Sequence, residues 1–264
     1  MKFLKILILA AAASLFISNA QAQEKLGTIK AFLVKGNVTL INNAGQSMPL
    51  KRGQEFGSGT TVVTGDNSSA LLLFSNGASV NVTPNTKYSI NQFEQAAYDP
   101  ALGTFLRLKE DPSVSNTQTA LEYGQLIGEV RKLGPGSQYT INTPIASAGI
   151  RGTVWVLQYN PASQTFTASN VTGDVVVYLP DGSTVEVPAD SSYTIVSGMT
   201  EDQFADIDPQ VLADAQQTAT VIENAGAVSI NVQNDSTIVV TPETDVILDE
   251  TGVVISGTET VIVN

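Results

Sequence analysis

The chain of 264 residues has no cysteine and no histidine. Without cysteine there is no disulfide framework and no lipid anchor on an N-terminal Cys. With histidine missing as well, Ser-His-Asp and Cys-His catalysis are excluded, as are ordinary zinc, copper and haem sites. Aromatics make up only 6% of the residues, so a core must rest on Val, Ile and Leu. Cations are also few: 13 Lys and Arg face 25 Asp and Glu, for a formal net charge of −12. That balance argues against nucleic acid and anionic lipid as partners. It suits cations, basic protein patches or neutral glycans, or serves solubility alone. No phosphate-cradling glycine loop is present. Paired carboxylates could still serve a glycosidase, but no pair stands in a recognisable cleft context, so neither an enzyme nor a cofactor is expected. Asp202, Asp206 and Asp208 cluster, as do Asp245, Asp249 and Glu250. Neither group has the ordered spacing of a calcium loop, and solvated acidic faces are the expectation.

Long apolar runs are missing except at the start. Lys2 and Lys5 precede an uncharged stretch, Ile6 to Ile17, followed by Ala20-Gln21-Ala22. About 20 apolar residues are needed to span a membrane, so this run reads as a signal-peptide core with cleavage after Ala22. Ala20 and Ala22 occupy the positions a signal peptidase reads. Removal of Lys2 and Lys5 takes the charge from −12 to −14. The mature chain is expected to be exported, periplasmic or secreted, with no membrane span.

From Gly27 to Ile195 the chain reads as short strands. Val38-Thr39-Leu40, Leu71 to Phe74, Val80-Asn81-Val82, Val154-Trp155-Val156, Val175-Val176-Val177 and Val185-Glu186-Val187 are β-branched or alternate with period two. Turn signals separate them, among them Asn43-Ala44-Gly45, Gly57-Ser58-Gly59, Asn76-Gly77 and Asp181-Gly182. The Asn-Gly and Asp-Gly pairs suit hairpins whose two turn residues both reach positive φ. A self-comparison aligns Gly77 to Ile90 with Gly182 to Ile195 without a gap; Gly, both valines, Tyr and Ile coincide. A weaker copy spans Gly128 to Ile141, and a further one, Ile238 to Leu248, lacks the Tyr. Each copy reads as strand, turn, strand, and fixed-period similarity points to stacked units sharing a core. The expected fold is all-β, an elongated solenoid-like or two-sheet β-sandwich stack, with one C-terminal helix and a terminal β segment.

The helix is expected over 201–226. Asp208 is placed as N-cap with Pro209 at the first helical position, Leu212, Ala215, Ala219 and Ile222 share one face, and Gly226 ends it. It would cap one end of the β stack or present residues 227–264 to a partner. That last segment is strongly apolar and must pair within the chain or with another molecule.

Three blocks carry a family resemblance. They are Gly36 to Leu40 with Leu50-Lys51-Arg52-Gly53 and Thr64-Gly65; Ala70 to Gly77 with Val80 to Pro84; and Thr143-Pro-Ile-Ala-Ser-Ala-Gly-Ile-Arg-Gly-Thr-Val-Trp155 with Gly173 to Val177. Together they resemble the FecR-like domain family. The resemblance implies an extracytoplasmic all-β domain and divides the chain into a signal peptide (1–22), a FecR-like domain (23–200), a helical segment (201–226) and a C-terminal β segment (227–264). In iron-uptake regulators of that family the domain receives a signal from an outer-membrane receptor. This chain departs from them in having no cytoplasmic segment ahead of the domain and no internal membrane helix, so the resemblance supports fold and compartment rather than iron signalling. Arg151 is expected to be partly buried against carboxylates or carbonyls, Gly152 to form a bulge or close approach, and Trp155 to anchor the core. With Thr143, Pro144 and Thr153 these form the family motif, read as structural ahead of ligand contact. The leading expectation is a non-enzymatic module binding an envelope or surface protein. A structural or adhesive protein that homo-oligomerises through its C-terminal strand, or a polysaccharide-binding protein with an exposed Trp155, stand as alternatives.

Overall fold

The computed structural model describes residues 25–103, 105–198, 203–226, 246–248 and 254–256. The expected leader with its cleavage site at Ala20 and Ala22 lies outside them, as does most of 227–264 with the expected repeat copy. The strands in chain order are β1 (Lys25–Leu26), β2 (Ile29–Lys35), β3 (Val38–Ile41), β4 (Ser47–Pro49), β5 (Glu55–Phe56), β6 (Thr60–Thr64), β7 (Ser69–Phe74), β8 (Ser79–Val82) and β9 (Lys87–Gln95). There follow β10 (Ser115–Val130), β11 (Gln138–Asn142), β12 (Ser147–Asn160), β13 (Thr165–Tyr178), β14 (Thr184–Val187), β15 (Ser191–Val196) and β16 (Gln203–Asp206). A helix spans Pro209–Gly226, and Val246–Leu248 (β17) and Val254–Ser256 (β18) pair only with each other.

The architecture follows from three long strands and their glycines. In β10 the core-facing residues are Thr117, Thr119 and Leu121 in its first half, but Leu126, Gly128 and Val130 in its second. The inward phase has slipped by one residue, which in a strand exchanges the two faces. The slip falls at Gly124, whose φ is +98°, beside a register shift between Leu121 and Tyr123. β12 does the same at Gly152 (φ +63°) and β13 at Gly173 (φ +85°). Ala148 and Ile150 point inward before the first of these, and Trp155, Leu157 and Tyr159 after it. A positive φ is cheap only for glycine, and a bulge bends its strand.

Each bend carries its strand from one leaf of a folded sheet to the other. The second half of β10 pairs with β8 and β12, while its first half pairs with β9 and, in parallel, β11. The first half of β13 pairs with β15 and its second with β14. One leaf therefore runs β5-β2-β7-β8-β10-β12-β13-β15-β16 and the other β4-β3-β6-β9-β10-β11-β12-β13-β14. A single core lies between them, with Phe74, Tyr88, Phe93, Leu126, Tyr139, Trp155, Phe166 and Tyr193 fully enclosed or nearly so. This is the two-sheet form of the expected all-β fold, an open sheet rather than a closed barrel.

The internal repeat exists in the backbone as well as in the sequence. The arch positions Asn85, Gly136 and Asp190 all take positive φ, at 54°, 87° and 59°. The tyrosine three residues on, Tyr88, Tyr139 or Tyr193, is buried each time. Gly77 and Gly182 open the first and third copies at φ 88° and 86°. The hairpin turns differ from the expectation. Asn76 and Asp181 stay at negative φ, and each loop has three residues, closed by Phe74 N to Ala78 O (2.8 Å) and Leu179 N to Ser183 O (2.9 Å). Only the glycine must be left-handed in a three-residue loop. The Asn or Asp instead accepts a hydrogen bond two residues on, from Ala78 N (3.1 Å) or Ser183 N (2.9 Å).

The helix begins later than expected, because Gln203–Asp206 is a strand paired to β15. Phe204 there covers Tyr193, with ring centroids 5.1 Å apart. Asp208 caps the helix through Oδ1, which accepts Gln210 N (2.9 Å) and Val211 N (3.3 Å). The helix lies across the outer face of the first leaf rather than at an end of the stack. Val211, Leu212 and Ala215 meet Ile127, Val156 and Ile207, while Val221, Ile222 and Ala225 meet Phe32, Leu71, Leu73, Phe105 and Leu106. Ile127 and Val156 are the outward residues that the phase slips at Gly124 and Gly152 created.

A buried carboxylate pins the segment between β9 and β10. Asp111 Oδ2 accepts the Ser115 hydroxyl at 2.6 Å, and Ser115 N donates to Ser137 Oγ at 3.0 Å. Burial pushes Asp111 above its ordinary 3.8, and hydrogen bonds from Ser115, Ser137 and Ser113 act in the opposite direction. A carboxyl raised in the fold contributes stability present below its unfolded pKa and lost as pH rises through the folded one. Asp111→Asn is therefore expected to gain on the wild type in urea midpoint as pH rises above the ordinary aspartate range. A midpoint difference that does not change with rising pH would show that Asp111 does not titrate this way.

Candidate functional site

The family-motif residues act inside the fold. Thr143 closes the β11–β12 turn, donating Oγ1 to Ala146 O (2.8 Å) and accepting Ala146 N (3.1 Å), while Pro144 is exposed at its tip. Thr153 is buried and donates to Val154 O (3.0 Å), with Oγ1 also 3.1 Å from Asn170 Oδ1. Asn170 Nδ2 in turn donates to Gly173 O (2.9 Å) and Val187 O (2.8 Å). Gly152 and Gly173 face each other so closely that a Cβ on Gly173 would stand 2.3 Å from the Gly152 carbonyl oxygen. The Arg-Gly-Thr step is thus half of a double bulge at which β12 and β13 bend together. Arg151 is exposed rather than partly buried. Ile150 takes the inward position ahead of the bulge, so its neighbour must point out, in register with Asp174 on β13. Trp155 is 0% exposed, which removes it as a sugar-stacking platform. Its ring lies over Gly128, directly opposite in β10.

Of the expected acidic clusters, Asp208 is engaged as the helix cap, and Asp202, Asp245, Asp249 and Glu250 lie outside the described residues. Tyr88 and Tyr139 meet in the core with hydroxyl oxygens 3.4 Å apart. Burial pushes Tyr88 up to about 12 and raises Tyr139 as well. Both stay neutral and serve packing.

A different set of residues forms the site. Beside the helix, the outer face of the first leaf is hollowed into a cleft of about 1680 Å³. Its floor is a row in cross-strand register: Gln125 on β10, Gln158 on β12 and Thr167 on β13. Thr167 continues the row to Thr194, with hydroxyl oxygens 3.0 Å apart. Tyr123, Asn81 and Thr83 extend the floor, and Asp214, Gln217 and Thr218 of the helix form one wall. The lining is almost wholly neutral, with only Lys35, Arg52 and Asp214 charged. Gln125 is anchored by its backbone, N accepting no proton but donating to Thr86 Oγ1 (3.0 Å) and O receiving Thr83 Oγ1 (2.9 Å). Its side-chain Nε2 is buried with no hydrogen-bond partner.

Amides donate and accept at once and hydroxyls adapt, so such a floor can match uncharged polar groups, including peptide backbone. Among the described hydrogen bonds, none pairs a nucleophile on this floor with a base. The sequence reading missed this floor. The signal that could have found it is the spacing-two run of Gln, Asn and Thr on the solvent side of β10, β12 and β13, which reads there as ordinary surface.

The family model described as FecR protein matches residues 60–176, which contain all three bulge glycines and the Arg-Gly-Thr step. Two crystal structures of a candidate anti-sigma factor from Parabacteroides distasonis are similar at 15% identity and a TM-score of 0.44. The first match covers 60% of this chain and 64% of that one, so it spans less than two thirds of that protein; the second covers 62% and 72%. No curated protein matches the chain.

Proposed function

We propose that this chain, whose residues 60–176 match the family model described as FecR protein, is a non-enzymatic regulatory module of the bacterial envelope that binds a protein partner in the helix-walled cleft. The cleft carries the reading: it is large, neutral and lined by hydrogen-bonding side chains, in a chain without His or Cys. The N-terminal Lys2 to Ala22 pattern supports export. Among the described residues no helix is long and apolar enough to cross a membrane. The similarity to candidate anti-sigma factors fits a signalling role without specifying the signal. Protein interfaces combine side-chain hydrogen bonds with aromatic groups at their centre, here Tyr123 on the cleft floor.

The test compares wild-type protein with Gln158→Arg/Thr167→Arg, both carrying the same tag, in capture from solubilised envelope. Two arginines on the cleft floor leave the core untouched and should reduce recovery of one stoichiometric protein at least tenfold. Equal recovery by both would move the binding surface elsewhere. Recovery of polysaccharide alone would favour a glycan-binding protein, and recovery of only the chain itself a self-assembling one.

A further inference from the structure

The charge of the chain is divided along its length. All 13 Lys and Arg lie at or before Arg151, whereas residues 152–264 hold 16 Asp and Glu and no cation. Within 227–264 alone stand Asp235, Glu243, Asp245, Asp249, Glu250 and Glu259, again without a single Lys or Arg. An acidic segment of this kind repels itself and finds favourable partners only in cations elsewhere.

The fold gathers such cations at one place. Arg107 ends the 3-10 turn Phe105–Arg107 and Lys109 follows it. Glu110 forms a parallel bridge with Lys132, and the backbone of Lys132 passes within 3.5 Å of a Cβ built on Gly152, next to Arg151. Arg131 presses on Gly77 together with Leu108. Arg107, Lys109, Lys132 and Arg151 are exposed. The acids among them are Glu129, which holds Arg131 at 2.6 Å, Glu110, Asp174 in register with Arg151, and the buried Asp111, whose backbone N donates to Lys132 O at 3.1 Å and whose carboxylate accepts the Ser115 hydroxyl. Five cations thus outnumber four acids, one of them buried, on the rim of a strongly acidic molecule.

The helix ends at this rim. Its last turns, through Val221, Ile222 and Ala225, pack on Phe105 and Leu106, beside the 3-10 turn from which Arg107 and Lys109 extend. Nine extended residues reach about 30 Å, which brings every acid from Asp235 onward within range. Among the described strands, β17 and β18 pair only with each other, and an isolated two-stranded hairpin is at best marginal in water. It needs a surface.

We infer that residues 227–264 dock on the cationic rim of their own chain formed by Arg107, Lys109, Arg131, Lys132 and Arg151. The contact is electrostatic in origin and completes the hairpin's burial.

Carbodiimide, which joins a lysine to a carboxylate already in contact, tests this on the full chain. Links are expected from Lys109 or Lys132 to Asp245, Asp249 or Glu250. They should remain within one chain in a mixture of isotopically light and heavy protein, and fall about tenfold in 1 M salt, where screening acts over about 3 Å. Lys132→Glu/Arg151→Glu alters only exposed side chains and should abolish the links from Lys109 while leaving the helix signal unchanged. Absence of these links, or persistence in 1 M salt, would overturn the inference. Links found only between light and heavy chains would replace the chain's own segment with that of a second copy.

Discussion

Trp155→Ala is expected to destabilise the fold by about 3–5 kcal/mol, the usual range for deleting a buried tryptophan. Trp155 is wholly enclosed, lies 6.5 Å from the Tyr139 ring, and joins an aromatic chain running through Phe74 to Phe93. Its Nε1 has no partner, so the loss is one of packing and burial with no hydrogen bond forfeited. Gly128 gives the prediction a second arm. A Cβ there would stand 2.3 Å from Trp155 Cζ2 and 2.9 Å from the Ser79 carbonyl oxygen. Gly128→Ala alone is expected to cost about 1–3 kcal/mol by overpacking. In the Trp155→Ala background most of that cost should vanish, because the ring that collides is gone. Urea unfolding followed by far-ultraviolet circular dichroism measures all four corners of the cycle. Strict additivity would mean that the two residues do not share the site.

The second large effect is expected at the double bulge. Gly173→Ala should destabilise by about 3 kcal/mol, combining roughly 1–2 kcal/mol for a left-handed alanine with a collision against backbone that cannot turn aside. Its Cβ would meet Gly152 O at 2.3 Å and Thr153 Cβ at 2.9 Å. Gly152→Ala has the same kind of φ but no atom nearer than 3.5 Å. It should lose only the conformational part, about 1–2 kcal/mol. Gly152→Asn should lose less, since asparagine tolerates that region better. Thermal unfolding of the three variants separates the contributions. Equal losses at Gly152 and Gly173 would show that the close approach between the strands does not matter.

These two sites also show what could be read in the residues and what could not. The strand fragments, the arch repeat and the Asp208 cap were legible, because each depends on local chemistry: β-branching, a left-handed turn position, a side-chain oxygen at a helix start. The 14- to 16-residue length of β10, β12 and β13 was not. At Gly124, Gly152 and Gly173 the alternation restarts in the opposite phase, so each long strand reads as two short ones. The exposure of Arg151 was misjudged for the same reason: its face is decided by a bulge one residue later. β16 was taken for helix because its pairing with β15 is a long-range contact, invisible in Gln203–Asp206 itself. The cleft was hidden most completely. Gln125, Gln158 and Thr167 lie 33 and 9 residues apart in the chain, and only strand register and the overlying helix make them one surface.

The absence of cysteine makes the most direct test of the cleft simple, since a single introduced thiol can be modified without side reaction. Thr167→Cys places a thiol on the cleft floor, and Gln46→Cys places one on the exposed turn between β3 and β4. Each variant, coupled to a maleimide-linked polymer, would be compared with its unmodified form for capture of the envelope partner. Binding lost only when Thr167→Cys is modified, and retained with the modified Gln46→Cys, is the predicted result. Full binding by the modified Thr167→Cys protein would contradict the assignment of the cleft as the partner site.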